Sequence, residues 1–151
     1  AKIAAGTGRM HCDFAFYVGG THDNVRDLPE LERLPGCAGV KVFMGSSTGS
    51  LLVADDKGVE AILSAISRRA AFHSEDEYML EARKHLRVPG DPSSHPVWRS
   101  PEVAMSCTRR LVDIARSDHV KRVRGGAVFM AGSGKGRTSH QPAAAYRGGQ
   151  A

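Results

Sequence analysis

The sequence predicts an α/β fold in which short parallel strands alternate with helices. Three short apolar segments, at residues 13–18, 38–44 and 70–73, show no alternation between apolar and polar side chains. Segments of helical character lie between them and after them. Strands that are apolar on both sides are typical of parallel sheets whose faces are covered by crossover helices.

The first half of the chain contains two of these strands and one short helix. The strand at residues 13–18 ends at a pair of glycines, as strands often do. Pro29 suits the first turn of a short helix at residues 29–34. The strand at residues 38–44 is followed by Gly-Ser-Ser-Thr-Gly, which predicts a loop.

Three longer helical segments follow. Two aspartates open a helix predicted to run from residue 55 to about residue 69, with apolar residues at helical spacing on one face. Residues 75–86 carry acids early and bases late, which agrees with the helix dipole. Three prolines predict a long loop at residues 88–99, and Pro101 then begins a helix that ends near Arg116.

The composition divides the chain at residue 116. Residues 1–116 contain 15 basic and 15 acidic side chains, whereas residues 117–151 contain six basic side chains and one acid. The second part also holds seven of the 17 glycines and no Leu or Ile. We expect it to be a basic, glycine-rich, irregular tail, disordered or frame-shifted, that adds nothing to the core, although residues 120–123 and 127–131 allow weak strands.

Composition also bears on location and on partners. No apolar run approaches the roughly 18–20 residues of a membrane span, and the N-terminus has no apolar signal core. The three cysteines are widely spaced, which favours a reducing compartment. Since the net charge of +5 arises entirely in the tail, it does not indicate a nucleic-acid surface. We expect a cytoplasmic protein without membrane or nucleic-acid partners.

Two side chains in the predicted strands are candidates for a metal site. Lys41 lies inside a strand, where burial of a cation is costly unless it is paired or altered; an edge strand with Lys41 in water is the alternative. His73 ends a strand, where α/β barrels place functional groups, but a lone histidine can also be structural. The acids at residues 75–77 can orient His73 or charge a helix N-terminus.

Two other patterns do not support a site. The glycine-rich segment around Lys135 lacks the spacing of a phosphate-binding loop and has no Ser or Thr after the lysine, so no cofactor-binding residue is assigned. Cys107 and His95 suggest a thiol and its base, but Cys107 lies on the apolar face of a helix and is expected in the core.

Four segments of the chain together carry a resemblance to a known family. They are Asp13-Phe-Ala-Phe-Tyr-Val-Gly-Gly-Thr21, Gly36-Cys-Ala-Gly-Val-Lys-Val-Phe-Met-Gly-Ser-Ser-Thr-Gly49, Ala71-Phe-His-Ser-Glu-Asp-Glu77 and Arg87-Val-Pro-Gly-Asp-Pro-Ser-Ser-His-Pro-Val-Trp98. These segments resemble bacterial dihydroorotases of the cyclic amidohydrolase group. The resemblance covers about residues 9–117, and its second and third segments are the most specific.

The resemblance implies a fold and a metal centre. It implies that residues 1–116 are part of a (β/α)8 TIM-type barrel, about strands 3–5 with their helices. It also implies a pair of metal ions, usually zinc, with Lys41 as the carboxylated lysine that bridges them and His73 as the fifth-strand ligand. The family's catalytic aspartate lies on the eighth strand, so no catalytic residue is assigned in this chain.

The chain also departs from the family pattern. It has no His-x-His pair, and Lys121-Arg-Val-Arg-Gly-Gly stands where a sixth strand with a histidine is expected. We therefore expect a truncated or frame-shifted product of a dihydroorotase gene, inactive as this incomplete chain; a diverged but genuine end of the barrel segment is the alternative.

The parent enzyme is expected to convert dihydroorotate to N-carbamoyl-aspartate in pyrimidine biosynthesis. Its partner would be a small cyclic amide, and a homo-oligomer is allowed. Two alternatives stay open: a fragment of an allantoinase-like or hydantoinase-like amidohydrolase, and a non-catalytic interaction module derived from a barrel.

Overall fold

The computed structural model of the chain describes residues 1–47, 49–117 and, for the backbone, residues 128–131. Its strands are β1 (Phe16–Gly19), β2 (Cys37–Phe43), β3 (Ala70–His73) and β4 (Val128–Ala131). Its helices are α1 (Lys2–Gly6), α2 (Leu28–Leu31), α3 (Asp56–Ala65), α4 (Glu77–Ala82), α5 (His95–Trp98) and α6 (Pro101–Arg116). None of these helices is long and apolar enough to cross a membrane.

The strands form one parallel sheet in the order β1-β2-β3-β4. Each strand pairs with the next one in the chain, and helices lie in the connections from β1 to β2 and from β2 to β3. The predicted α/β class with parallel strands and crossover helices is therefore confirmed. The carboxyl ends of the strands meet at one edge of the sheet because all of them run in the same direction.

One face of the sheet carries the core. Val40, Val42 and Phe72 lie on this face, and each of them is fully buried. The apolar sides of α3 and α6 pack against them. The core residues from these two helices are Val59, Ile62, Leu63, Cys107 and Leu111. Cys107 thus packs in the core as expected, and burial raises the pKa of its thiol, which disfavours a nucleophilic role.

The opposite face of the sheet is partly open to solvent. The register pairs Lys41 with Ala71 and Phe43 with His73, so these four residues share that face. All four are only partly buried, and Tyr17 in β1 is 43% exposed. The expectation that helices cover both faces is wrong for the described residues. Helices on one side only are typical of α/β barrels, where the inner face meets other strands.

The fourth strand corrects the predicted extent of the sheet. β4 lies within the segment 117–151 that we expected to be an irregular tail, and it pairs in parallel with β3 along its whole length. The weak strand allowed at residues 127–131 is confirmed, and the prediction of three strands followed by an irregular tail is wrong there. The backbone of the Val-Phe-Met-Ala segment pairs with β3, whose edge N–H and C=O groups would otherwise lack partners in the sheet. Residues 118–127 and 132–151, with the other tail predictions, lie outside the described residues.

The predicted types of the helices and strands agree with the structure better than their predicted lengths do. α6 has nearly its predicted bounds, but α3 ends at Ala65 and α4 covers only half of the predicted third helix, followed by a 3-10 turn at Lys84–Leu86. The predicted loop at residues 88–99 contains a 3-10 turn and α5. α3 stops early because the backbone turns extended at Ile66, where a buried carboxylate binds the next amides.

That carboxylate belongs to Glu32, which is fully buried. Its Oε1 accepts hydrogen bonds from the backbone N–H and the hydroxyl of Ser67, and its Oε2 accepts one from the N–H of Arg68. Burial alone would raise the pKa of Glu32, but these hydrogen bonds outweigh it and leave the pKa below its usual value of 4.5. Glu32 therefore joins α2 to the segment that enters β3.

Replacing Glu32 with glutamine is expected to lower the free energy of unfolding by about 1–3 kcal/mol, because the new amide cannot accept the Arg68 hydrogen bond. The difference should be full above pH 4.5 and should disappear as the pH falls through the lowered folded pKa. Urea titrations across pH measure it, with the exposed Glu30→Gln as the control. Equal stability of the two variants at neutral pH would contradict this role.

Candidate metal site

Lys41 lies in the interior of the sheet, since β2 pairs with β1 on one side and β3 on the other. The alternative of an edge strand with Lys41 in water is therefore wrong. The ammonium Nζ stands 4.9 Å from the centroid of the Phe43 ring and has no ion pair among the described residues. Burial lowers the pKa of Lys41, which makes the neutral amine easier to reach.

His73 is the last residue of β3, at the carboxyl edge of the sheet, as predicted. Its Nε2 lies 2.5 Å from Oε2 of Glu75, a side chain that is only 2% exposed. Arg99 approaches the same carboxylate and forms an ion pair with it. The three side chains form a compact cluster beside the open face of the sheet.

The ion pair with Arg99 constrains the protonation of the His73 ring. A carboxylate paired with a guanidinium is an acceptor only. The short contact between Glu75 and His73 therefore requires the proton to lie on Nε2 of the imidazole. The other ring nitrogen, Nδ1, then carries the lone pair in the neutral ring, and it is the atom that could bind a cation.

The three consecutive acids after β3 have separate roles. Glu75 contacts His73, whereas Asp76 caps α4 by accepting from the N–H of Met79 and pairs with Arg110. Glu77 accepts a hydrogen bond from the backbone N–H of Ser46, at 2.6 Å. The interpretation that an acid charges and caps a helix N-terminus is therefore confirmed for Asp76, whereas Glu75 makes the contact with the histidine that an orienting role requires.

The loop after β2 is held close to the loop after β3. A Cβ at Gly45 would stand 2.4 Å from the carbonyl oxygen of Glu75, so only glycine allows this approach. The hydrogen bond between Ser46 and Glu77 ties the same two loops together. The strand that carries Lys41 and the strand that carries His73 are thus joined beyond their backbone pairing.

The two predicted metal-site residues share one face of the sheet, but they are separated by Phe43. The centroid of the Phe43 ring lies 4.9 Å from Nζ of Lys41 and 6.0 Å from the centroid of the His73 ring. Nowhere in the described residues do three or more His, Cys, Asp or Glu side chains cluster as a metal site would need. The segment around Lys135 lies outside those residues.

Arg99 is the residue of this cluster that sequence reasoning missed. It was assigned to the end of a long loop, 24 positions after Glu75, and nothing in the local pattern relates the two side chains. The sequence gives no signal for this pair, since Arg99 is marked only by its place just before the helix start at Pro101. His95, the other half of the suggested thiol and base pair, packs edge-to-face on Trp98, with the ring centroids 6.2 Å apart.

Comparisons with known proteins show the fold of the chain. No family model and no curated protein matches it. Among solved structures, L-hydantoinase (dihydropyrimidinase) from Arthrobacter aurescens matches with a TM-score of 0.65 and 20% identity, over 81% of this chain and 27% of that chain. A D-hydantoinase matches with a TM-score of 0.64 and 21% identity, over 85% of this chain and 28% of that chain.

A further D-hydantoinase structure matches with a TM-score of 0.51 and 22% identity, over 72% of this chain and 22% of that chain. At such identities the likeness is one of fold. The chain spans about a quarter of the length of these structures. It therefore has the α/β fold of one part of a hydantoinase chain.

Proposed function

We propose that this chain is part of a metal-dependent cyclic amidohydrolase, in which Lys41 and His73 are metal ligands. One observation supports this assignment above the others: the register of β2 and β3 places both side chains on the same open face of the sheet. The carboxyl edge of a parallel sheet is where α/β enzymes bind their ligands. The fold shared with hydantoinases supports an enzyme of this class.

Lys41 suits the role of a carboxylated lysine. A neutral amine is needed for the reaction, and burial lowers the pKa of this group. The lone pair of Nζ forms a bond to the carbon of carbon dioxide, and Nζ releases one proton. The product is a carbamate anion with two oxygens, which could bind two cations on the face where Lys41 now has no ion pair among the described residues.

His73 suits the role of a neutral imidazole ligand. Glu75 holds the proton on Nε2, so the Nδ1 lone pair is available to a cation. A carboxylate behind the ligating ring is a common arrangement in metal sites. The donor set of an imidazole and a carbamate fits zinc, although one catalytic zinc normally has about three protein ligands. When bound, a metal pair would polarise the substrate carbonyl and activate water.

Dihydroorotate is the substrate that we propose for the parent enzyme, with hydrolysis to N-carbamoyl-aspartate as the reaction. This choice rests on the resemblance of the segments around Lys41 and His73 to dihydroorotases. Hydantoins or dihydropyrimidines are the second candidate, and the solved structures with the same fold favour them. Both candidates require the same chemistry, the cleavage of a C–N bond in a cyclic amide.

A hybrid barrel tests this proposal. In it, the segment of the Arthrobacter aurescens L-hydantoinase that this chain matches is replaced by this chain. We expect the hybrid to bind two zinc ions and to hydrolyse a cyclic amide, and we expect His73→Ala to lose both properties. The control is His85→Ala, because His85 is exposed and, in the part of the chain that the structure describes, bonds only to the carbonyl of Ala82. Equal metal content and turnover in the two variants would exclude His73 as a ligand.

A further inference from the structure

Arg99 reaches the candidate site from the segment between α5 and α6. Its side chain is 15% exposed, and its guanidinium forms an ion pair with Glu75. We infer that Arg99 is a positioning residue: it fixes the Glu75 carboxylate, and through it the ring of His73. The use of that ring as a metal ligand rests on the proposed function, whereas the positioning itself does not.

The contact between Arg99 and Glu75 uses both oxygens of the carboxylate. Nε of Arg99 donates to Oε1 at 2.9 Å, and Nη2 donates to Oε2. A two-point contact of this kind fixes the plane of a carboxylate as well as its distance. Glu75 is only 2% exposed, and a buried anion of this kind needs such a partner to remain charged.

The orientation of His73 follows from this contact. Nε2 of His73 lies 2.5 Å from Oε2 of this carboxylate, and an oxygen that a guanidinium already contacts acts as an acceptor, so Nε2 donates to it. Nη2 of Arg99 lies 3.4 Å from the same ring nitrogen, so the cation also stands beside the ring. Without Arg99, Glu75 would lose its fixed plane, and the ring would lose the acceptor that holds its proton on Nε2.

The segment that carries Arg99 has other anchors. Nε1 of Trp98 donates to the carbonyl of Leu80 at 3.0 Å, and Nε of Arg83 donates to the carbonyl of Trp98 at 3.2 Å. The backbone N–H of Arg99 donates to the carbonyl of His95 at 2.8 Å. Loss of the Arg99 guanidinium should therefore change the orientation of the Glu75 carboxylate and the His73 imidazole, whereas the backbone around Arg99 should stay in position.

Arg87 offers a matched control. Its guanidinium and that of Arg99 each lie 5.6 Å from the centroid of the same Trp98 ring. Arg87 is exposed and has no ion pair among the described residues. Replacing Arg87 thus removes a positive charge from beside the same tryptophan ring, as replacing Arg99 does, and leaves the contact between Glu75 and His73 intact.

The test is a nitrogen-correlated proton NMR spectrum of the zinc-free chain. We expect a downfield imidazole resonance from the Nε2–H of His73, identified by its loss in His73→Ala. Arg99→Gln should abolish this resonance, and Arg87→Gln should leave its position unchanged. In the hybrid barrel, Arg99→Gln should also weaken zinc binding by roughly 10- to 100-fold.

A resonance that persists unshifted in Arg99→Gln would overturn the inference. If that variant does not fold, as judged by circular dichroism, the same resonance is measured in Arg99→Lys. One ammonium cannot hold both carboxylate oxygens in the same way as a guanidinium. A resonance in Arg99→Lys identical to the wild type would also overturn the inference. Because this signal is read without metal, a hybrid that fails to bind zinc would count against the proposed function and not against the role of Arg99.

Discussion

Replacing Lys41 with alanine in the hybrid barrel is expected to lower the rate of cyclic amide hydrolysis by about a thousandfold or more. The reason is electrostatic. The carbamate of Lys41 would supply the anion shared by two cations, and alanine has no group that can replace it. A metal pair contributes several kcal/mol to the stabilisation of charge in the transition state, and each 1.4 kcal/mol corresponds to about a tenfold change in rate.

The control for this prediction is Lys84→Ala in the same hybrid. Lys84 is exposed and pairs with Glu81 on the surface, so its loss should leave turnover nearly unchanged. The measurement combines initial rates with elemental analysis for zinc. A Lys41→Ala hybrid that binds two zinc ions and retains full turnover would show that Lys41 has no part in the site.

The chain expressed alone is expected to show no hydrolysis of dihydroorotate or hydantoin above the buffer rate. An α/β barrel closes with eight strands, and four are present in the described residues. The face of the sheet that carries Lys41 and His73 is partly open, so water has access to the place where a substrate would bind. Lys41 and His73 alone provide too few ligands for a zinc pair.

An assay of the purified chain with added zinc and bicarbonate tests this expectation, with formation of N-carbamoyl-aspartate from dihydroorotate and of N-carbamoyl-glycine from hydantoin as the readouts. The result that would contradict it is turnover that co-elutes with the chain and disappears in His73→Ala. Contaminating hydrolase would persist in that variant. The comparison therefore separates activity of this chain from activity of an impurity.

The parts of the fold that were predictable from sequence are those with strong local patterns. β2 and β3 are short apolar segments and α6 has a clear helical period, and their observed positions differ little from the predicted ones. The position of His73 at a strand end follows from the same patterns. Such signals depend only on neighbouring residues, which is why one sequence is enough to read them.

The features that were missed depend on contacts between distant residues. α3 ends four residues early because Glu32, more than thirty positions before, binds the amides of Ser67 and Arg68. β4 was allowed by the sequence only as a weak strand, and its pairing with the edge of β3 was not predicted. Helix ends and weak strands are decided by such tertiary partners, and local propensity does not reveal them.

The residues of the candidate site also divide into those that local sequence patterns indicate and those that depend on contacts between distant residues. Lys41 and His73 were found because of their places in strands, together with a resemblance to a known family. The ion pair between Glu75 and Arg99 could not be anticipated, because its two members are 24 positions apart and belong to different loops. The choice of Nδ1 as the available nitrogen of His73 depends entirely on this pair.

The most direct test of the metal-site assignment is a carbon NMR spectrum of the hybrid barrel in the presence of zinc and 13C-labelled bicarbonate. If Lys41 is carboxylated, the spectrum should contain one carbamate resonance that is absent from Lys41→Ala and present in Lys84→Ala. Zinc content should fall together with that resonance. A hybrid that binds two zinc ions without any carbamate signal, or a signal that remains in Lys41→Ala, would contradict the assignment of Lys41 as the bridging ligand.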